Sequence, residues 1–351
     1  PALFALFIFG YSLTAKCTSA VFSHPKLLNN APVHLRNMDW DVDELRKLTC
    51  NLNFVKNGKV CFSSTSWFPE TGVLTACKPG CFAVSLNYRK LDHAIAHNAL
   101  CLFRSNTTPI ALVIRYVLDH ANSFDQAVAM LSNAKTMAPC YIILSGAKTG
   151  EGVILSRCRN GVERSLNLST FDGHLVQTNC DFWCTAIEKS WAEDDLLLQN
   201  AIERRIKATA LINRYLDEKA SQQPFEPHTL LKDVLSVAPV CNVETIFSVV
   251  MCAARSLYYA QYLASNVDYI EANPRNNVTL LNYQRQRGAK VPFIWRKLTP
   301  LLVGLLGVIA LMVYYFEIPE CVWIRNVFLI VIGFLIGLCI SRGLKSGITS
   351  T

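Results

Sequence analysis

The sequence predicts an α+β domain in which stacked β-sheets are flanked by helices. Two observations carry this. Along the chain, segments with strand character alternate with helical segments in blocks: strands, helices, strands, helices and strands again. The chain is also long and apolar enough, with 351 residues of which 51% are hydrophobic, to fill a sizeable core. A third observation bounds that domain. Much of the apolar content lies in two uncharged runs near the C-terminus, Leu301 to Phe316 and Asn326 to Ile340.

The elements follow in order. Cys17 to Ser23 is rich in Thr, Ser and Val and reads as a strand, with Val33 to Asp39 as its hairpin partner. Leu48 to Val55 and Val60 to Trp67 form a second hairpin around Lys56-Asn57-Gly58-Lys59, because Asn-Gly tolerates the positive φ angles of a tight turn. Short strands are predicted at Val73 to Cys77 and Phe82 to Leu86. Helices follow at Ile110 to His120 and Ser123 to Leu131, the latter opened by Ser123 and Gln126 at capping-box spacing. Tyr141 to Leu144 and Val153 to Arg157 return to strand across the turn Lys148 to Gly152, and His174 to Thr178 is a further strand. Helices at about Asp195 to Leu216 and Pro227 to Leu235 precede strands at Glu244 to Val250 and Leu257 to Tyr262.

Residues 266 to 297 are polar and basic, and the net charge of +8 has a local source there in Arg285, Arg287, Lys290, Arg296 and Lys297. Placed just before an apolar run, these residues suit anionic lipid headgroups rather than nucleic acid. The runs at about 298 to 316 and 322 to 340, parted by Glu317-Ile318-Pro319-Glu320, are each near the minimum of about 17 to 20 residues for a bilayer-spanning helix. They predict a membrane helical hairpin. Basic residues outside both ends of it would place the main domain in the cytosol by the positive-inside rule. The fourteen cysteines and the sequons at Asn106, Asn167 and Asn277 point instead to a secretory or lysosomal chain. Cys77 and Cys81 bracket Lys-Pro-Gly and are candidates for a small disulfide loop. At the other end, Ala2 to Phe9 is apolar, either a signal-like segment or the tail of a helix from a longer precursor.

The residues that carry chemistry are Cys17-Thr18-Ser19, Arg36-Asn37-Met38-Asp39, Thr178 to Trp183 and Glu203-Arg204-Arg205. A thiol attacks an amide carbonyl well when a base takes its proton and the oxyanion is stabilised. If Cys17 becomes a first residue, its own α-amine, with an unperturbed pKa of about 8, serves as that base. Arg36 and Asp39 on the neighbouring strand can hold the amine and orient the thiol. Asn179 can offer an amide N–H to the oxyanion, and Arg204 supplies a fixed positive charge. No metal or cofactor is implied. His93 and His97 have the spacing of zinc ligands but lack the Glu of a metalloprotease, and Cys180 with Cys184 is a weak pair.

These motifs resemble the acid ceramidase and N-acylethanolamine acid amidase group of N-terminal-nucleophile hydrolases. The likeness extends through Leu48-Thr49, Lys78-Pro79-Gly80, Ala138-Pro139, Gly150-Glu151-Gly152 and Val234-Leu235-Ser236, and covers about residues 10 to 265. It implies an αββα sandwich made as a zymogen that cuts itself between Lys16 and Cys17, with Cys17, Arg36, Asp39, Asn179 and Arg204 lining the active site. By the same likeness residues 1–16 end a smaller partner chain from the same precursor or form a signal-like segment, and 17–265 are the amidohydrolase domain; composition makes 266–297 a basic linker, 298–340 the membrane hairpin, an addition to the family pattern, and 341–351 a tail. The implied reaction is hydrolysis of an N-acyl lipid in the lysosome or endomembrane system, ceramide to sphingosine and fatty acid. The alternatives are an N-acylethanolamine amidase of the same mechanism, or a catalytically weak, membrane-anchored lipid-binding relative. Lys78-Pro79-Gly80 is ceramidase-like, whereas Leu45 to Thr49 is similar to the amidase. The chain departs from the pattern at Tyr88, where the family has an acid, at Leu35, where it has glycine, and at Cys180, where Tyr is common.

Overall fold

The computed structural model describes residues 16–40, 42, 44–68, 70–89, 108–170, 173–183, 196–221 and 224–262. These fall in one of two compact units, Phe9–Leu280; the other, Pro1–Ile8 with Leu281–Thr351, lies outside the described residues. The strands are β1 (Lys16–Phe22), β2 (Val33–Asp39), β3 (Thr49–Lys56), β4 (Lys59–Trp67), β5 (Thr75–Lys78), β6 (Phe82–Tyr88), β7 (Cys140–Gly146), β8 (Gly152–Arg157), β9 (Val162–Asn167), β10 (His174–Gln177), β11 (Thr245–Cys252) and β12 (Leu257–Tyr262). The helices are α1 (Glu44–Leu48), α2 (Ile110–His120), α3 (Phe124–Asn133), α4 (Leu196–Lys219) and α5 (Pro227–Leu230), which runs on into a π-helical turn at Leu231–Leu235.

Two antiparallel sheets form. The first has the order β10-β1-β2-β11-β12, and the second runs β3-β4-β5-β6-β7-β8-β9. They stack because alternate residues of each strand face the other sheet. Val21 and Leu175 of the first sheet share an apolar cluster with Tyr141, Ile143 and Ile154 of the second. Gly152 permits the close approach, since a Cβ there would lie 3.0 Å from Val21 Cγ1 and 2.9 Å from Leu168 Cβ. The opposite face of the first sheet, with Ala20, Phe22, Leu35 and Val250, is buried under Ala208, Leu211 and Ile212 of α4 and Leu230 to Leu235. On the far side of the second sheet, α3 packs against β7 and α2 against α3. The result is helices, sheet, sheet, helices, as the resemblance implies.

Local chemistry accounts for the element ends. Asn57 and Gly58 take φ of 52° and 75°, closing the β3–β4 hairpin as expected. Ser123 Oγ accepts from Gln126 N at 3.2 Å, which caps α3. Lys78 Nζ donates to Leu118 O and Ala121 O, at 3.0 and 2.7 Å, neutralising the C-terminal end of α2. Lys78, read from the sequence as part of a family motif, thus has a packing role.

Some expectations are corrected. Cys77 and Cys81 are free thiols, and no disulfide joins them. Cys77 is buried, and that burial pushes its thiol up to about 12, with the thiols of Cys252 and Cys81 adding to the shift. β9, an edge strand, and the short α1 were not expected. Among the described residues no helix is long and apolar enough to cross a membrane. The predicted hairpin at 298–340, the linker 266–297, the tail 341–351, His93 with His97, Cys184, Asn106 and Asn277 all lie outside the described residues. Asn167 ends β9 and is exposed, as a glycosylation acceptor requires.

Candidate active site

β1 and β2 pair so that Lys16 lies opposite Asp39, Cys17 opposite Met38 and Ser19 opposite Arg36. With a period of two, the side chains of Cys17, Ser19, Arg36 and Met38 face the second sheet, while those of Lys16, Thr18, Asn37 and Asp39 face α4. The thiol therefore lies in the layer between the sheets. Cys17 Sγ donates to Met38 Sδ at 3.6 Å, and Arg36 Nη2 donates to the same sulfur at 3.1 Å. Arg36 is fully buried; its Nη1 donates to Ser19 Oγ at 3.2 Å and to Asn87 Oδ1.

Arg36 and Asp39 lie on different faces of the first sheet. Three residues apart on a strand, they project to opposite faces. Asp39 Oδ1 accepts from Thr245 Oγ1 at 2.7 Å and Oδ2 from Asn242 Nδ2 at 3.1 Å; Arg204 Nη1 lies 3.8 Å from Oδ2. Burial pushes the Asp39 carboxyl up, the Arg204 guanidinium pulls it back, and Glu244 adds to the rise. A raised acid binds its proton more tightly folded than unfolded. Its cost to stability is therefore full above the raised folded value and is relieved as the pH falls towards the unfolded value of 3.8. Asp39→Asn is accordingly expected to lose stability relative to the wild type as the pH is lowered, a trend that denaturant melts at successive pH values would show.

Arg204, fully buried on α4, organises the other face. Its Nη1 donates to Cys17 O at 2.6 Å and Thr18 Oγ1 at 3.0 Å, its Nη2 to Asn179 Oδ1 at 2.8 Å, and its Nε to Asn200 Oδ1 at 2.9 Å. Asn179 Oδ1 also accepts the Cys17 backbone N–H at 2.8 Å. The Asn179 amide Nδ2 donates to Tyr88 O at 2.9 Å. One guanidinium and one amide oxygen thereby grip the backbone on both sides of the Cys17 Cα. Such a grip fixes the Cys17 backbone nitrogen and carbonyl in place.

The strand alternation also explains Tyr88. Ser85 and Asn87 face the first sheet, so Tyr88 points away from Cys17 and offers the site only its carbonyl. Burial pushes its hydroxyl up to about 12, with Arg159 opposing the shift.

Several residues of the site were not singled out from the sequence. Asn87 donates to Gln177 O and Thr178 O, at 2.8 and 3.2 Å, as well as accepting from Arg36, and so ties the two sheets at the thiol. His34 bridges Ser85 Oγ at 2.8 Å and Ser145 Oγ at 3.3 Å. Arg89 grips Asp181 through Nε and Nη2, at 2.7 and 3.0 Å, and Glu163 at 2.7 Å, while Tyr141 Oη donates to Asp181 Oδ1 at 2.8 Å. That cluster holds the Asn179 segment in place. The one available signal was the even spacing of Ser85 and Asn87 on a strand whose other face is apolar. No group of three or more ligating side chains suited to a metal occurs among the described residues.

A family model described as acyl-coenzyme A:6-aminopenicillanic acid acyl-transferase matches residues 95–250. The acid ceramidase of Heterocephalus glaber is 31% identical over 268 residues, 71% of this chain and 62% of that protein. The N-acylethanolamine-hydrolyzing acid amidase of Caenorhabditis elegans is 34% identical over 222 residues, 62% of this chain and 57% of that one. The chain thus spans less than two thirds of the length of these curated relatives. A solved structure of the Caenorhabditis elegans N-acylethanolamine-hydrolyzing acid amidase ortholog superposes with a TM-score of 0.55 at 29% identity, covering 72% of this chain and 96% of that one.

Proposed function

The chain belongs to the family of acid ceramidases and N-acylethanolamine-hydrolyzing acid amidases, and from that premise we propose that it hydrolyses the amide bond of N-acyl lipids with Cys17 as nucleophile, after the Lys16–Cys17 bond is cut. The observation that carries this reading is the grip on Cys17: nitrogen on Asn179 Oδ1, carbonyl on Arg204, and thiol in the layer beside Met38 and Arg36. Once freed, the amine takes the thiol proton and the thiolate attacks the acyl carbonyl. The amine returns the proton to the leaving nitrogen, and water then releases the fatty acid from the thioester.

Ceramide is the first substrate to test and an N-acylethanolamine the second. Residues up to Lys16 would remain with the domain as a smaller chain. Acid ceramidase relatives favour a lysosomal or endomembrane setting. The apolar runs within 298–340 and the basic residues before them support an anchor against anionic lipid. The acid missing at position 88 supports a second reading, a weakly active lipid-binding relative.

The test is incubation of the full chain in acidic buffer, followed by mass determination and side-by-side fatty-acid release assays on both lipids. We expect a new chain beginning at Cys17, together with release. Cys17→Ala is expected to abolish both. An intact wild-type chain that releases no fatty acid would overturn the proposal.

A further inference from the structure

The residue that supplies the carbonyl of the scissile bond is a lysine, and it is buried. Lys16 is 6% exposed, and its ammonium lies 3.1 and 3.0 Å from the two carboxylate oxygens of Glu244, itself 2% exposed. Burying an ammonium costs several kcal/mol unless a partner is prepared for it, and an apolar side chain would fill such a strand position without that cost.

The partner here is prepared. Glu244 sits in the turn before β11, where its N–H donates to Asn242 Oδ1 at 2.9 Å and its carbonyl accepts Trp40 N at 2.8 Å. Arg46 of α1 donates to Val243 O at 2.6 Å and to Thr245 O, pinning the turn on either side of Glu244. Asp39 lies opposite Lys16 on one side and Thr245 on the other. Lys16, Arg204, Asp39 and Glu244 thus make a buried set of two cations and two anions around the Lys16–Cys17 peptide.

We propose that Glu244 is a positioning residue for self-cleavage: by holding the Lys16 ammonium it fixes the Lys16 carbonyl for attack by the Cys17 thiol, and so sets where the chain is cut. The inference rests on the function proposed above. In the step it serves, the Cys17 sulfur bonds to the Lys16 carbonyl carbon as the Lys16–Cys17 C–N bond breaks. The thiol proton passes to the departing nitrogen, which becomes the free α-amine. Water then hydrolyses the thioester, leaving a Lys16 carboxylate and restoring the thiol. Glu244 takes no part in bond making. Its work is alignment, as the grip of Arg204 on Cys17 O is on the other side of the bond.

The test follows the appearance of the Cys17 N-terminus by mass in purified full chains, each checked for folding by its thermal midpoint. Glu244→Gln, near-isosteric but uncharged, is expected to slow cutting by about 10- to 100-fold, the scale on which a misplaced reacting group is penalised. The charge exchange of Lys16→Glu with Glu244→Lys is expected to restore part of the rate, which loss of fold alone would not do. Should Glu244→Gln fail to fold, the pair Lys16→Met with Glu244→Met removes both charges together and decides the matter: slowed cutting upholds the role of Glu244. Cutting at the wild-type rate, in that pair or in a folded Glu244→Gln, overturns the role and leaves the proposed function standing. A wild-type chain that never cuts overturns both.

Discussion

Replacing Arg204 with methionine is expected to stop self-cleavage and to destabilise the domain by about 3–5 kcal/mol, the cost of breaking a buried ion pair from one side. Arg204 Nη1 lies 3.8 Å from Asp39 Oδ2 with both side chains buried, and without it the Asp39 carboxylate would be left to its hydrogen bonds from Thr245 and Asn242 while Glu244 repels it. The same change releases Cys17 O and Asn179 Oδ1 together, because one guanidinium holds both. Loss of such an aligned donor typically slows acyl transfer by about 100- to 1000-fold. Arg204→Lys keeps the charge but cannot reproduce a fork that reaches Cys17 O, Thr18 Oγ1 and Asn179 Oδ1 at once. Its stability is therefore expected to lie near the wild type while its cutting rate stays low. Denaturant melts read the first quantity, and mass analysis in acidic buffer reads the second. An Arg204→Lys variant that cuts at the wild-type rate would mean that the charge alone matters and that the fork does not.

Elements whose signal is local were the legible part of this fold. The β3–β4 hairpin is written in Asn57-Gly58, and the start of α3 in Ser123 and Gln126, because each depends on one turn of backbone. β9 was missed for the opposite reason. Val162-Glu163-Arg164-Ser165-Leu166-Asn167 is an edge strand with little apolar content, and only its pairing to β8 makes it a strand. In the site, Cys17, Arg36, Asn179 and Arg204 could be named from their motifs, yet their partners could not. Asp39 reaches Cys17 only through Arg204, which lies on a helix 165 residues further along the chain (204 − 39). Glu244 and Asn242 enter through a turn that no spacing in the chain encodes, and for Asn87 the even spacing with Ser85 marks a polar strand face but not the Arg36 that it meets across the sheets.

The pH behaviour of the domain is expected to be governed in large part by His34, a residue outside the proposed chemistry. His34 is fully buried between the sheets, bridging Ser85 and Ser145, and burial together with the charge of Arg36 lowers its pKa from 6.5 to about 3. The unfolded chain therefore binds a proton at His34 across this window while the folded chain does not. Stability contributed by the neutral imidazole is complete above 6.5 and falls as the pH drops towards about 3, by about 1.4 kcal/mol per pH unit. Over the two units below 6.5 this titration costs the fold a few kcal/mol, against which the rising protonation of Asp39 works in the other direction. His34→Gln keeps a neutral hydrogen-bonding side chain and removes the titration. Its unfolding free energy, taken from denaturant melts at successive pH values, is expected to decline less steeply below 6.5 than that of the wild type, even if the variant is the less stable of the two near neutrality. Parallel curves would mean that His34 accepts a proton in the folded state, and hence that the layer holding Arg36 beside the thiol admits a second positive charge. A flatter curve would place the acid limit of the fold in the same inter-sheet layer that holds the Cys17 thiol.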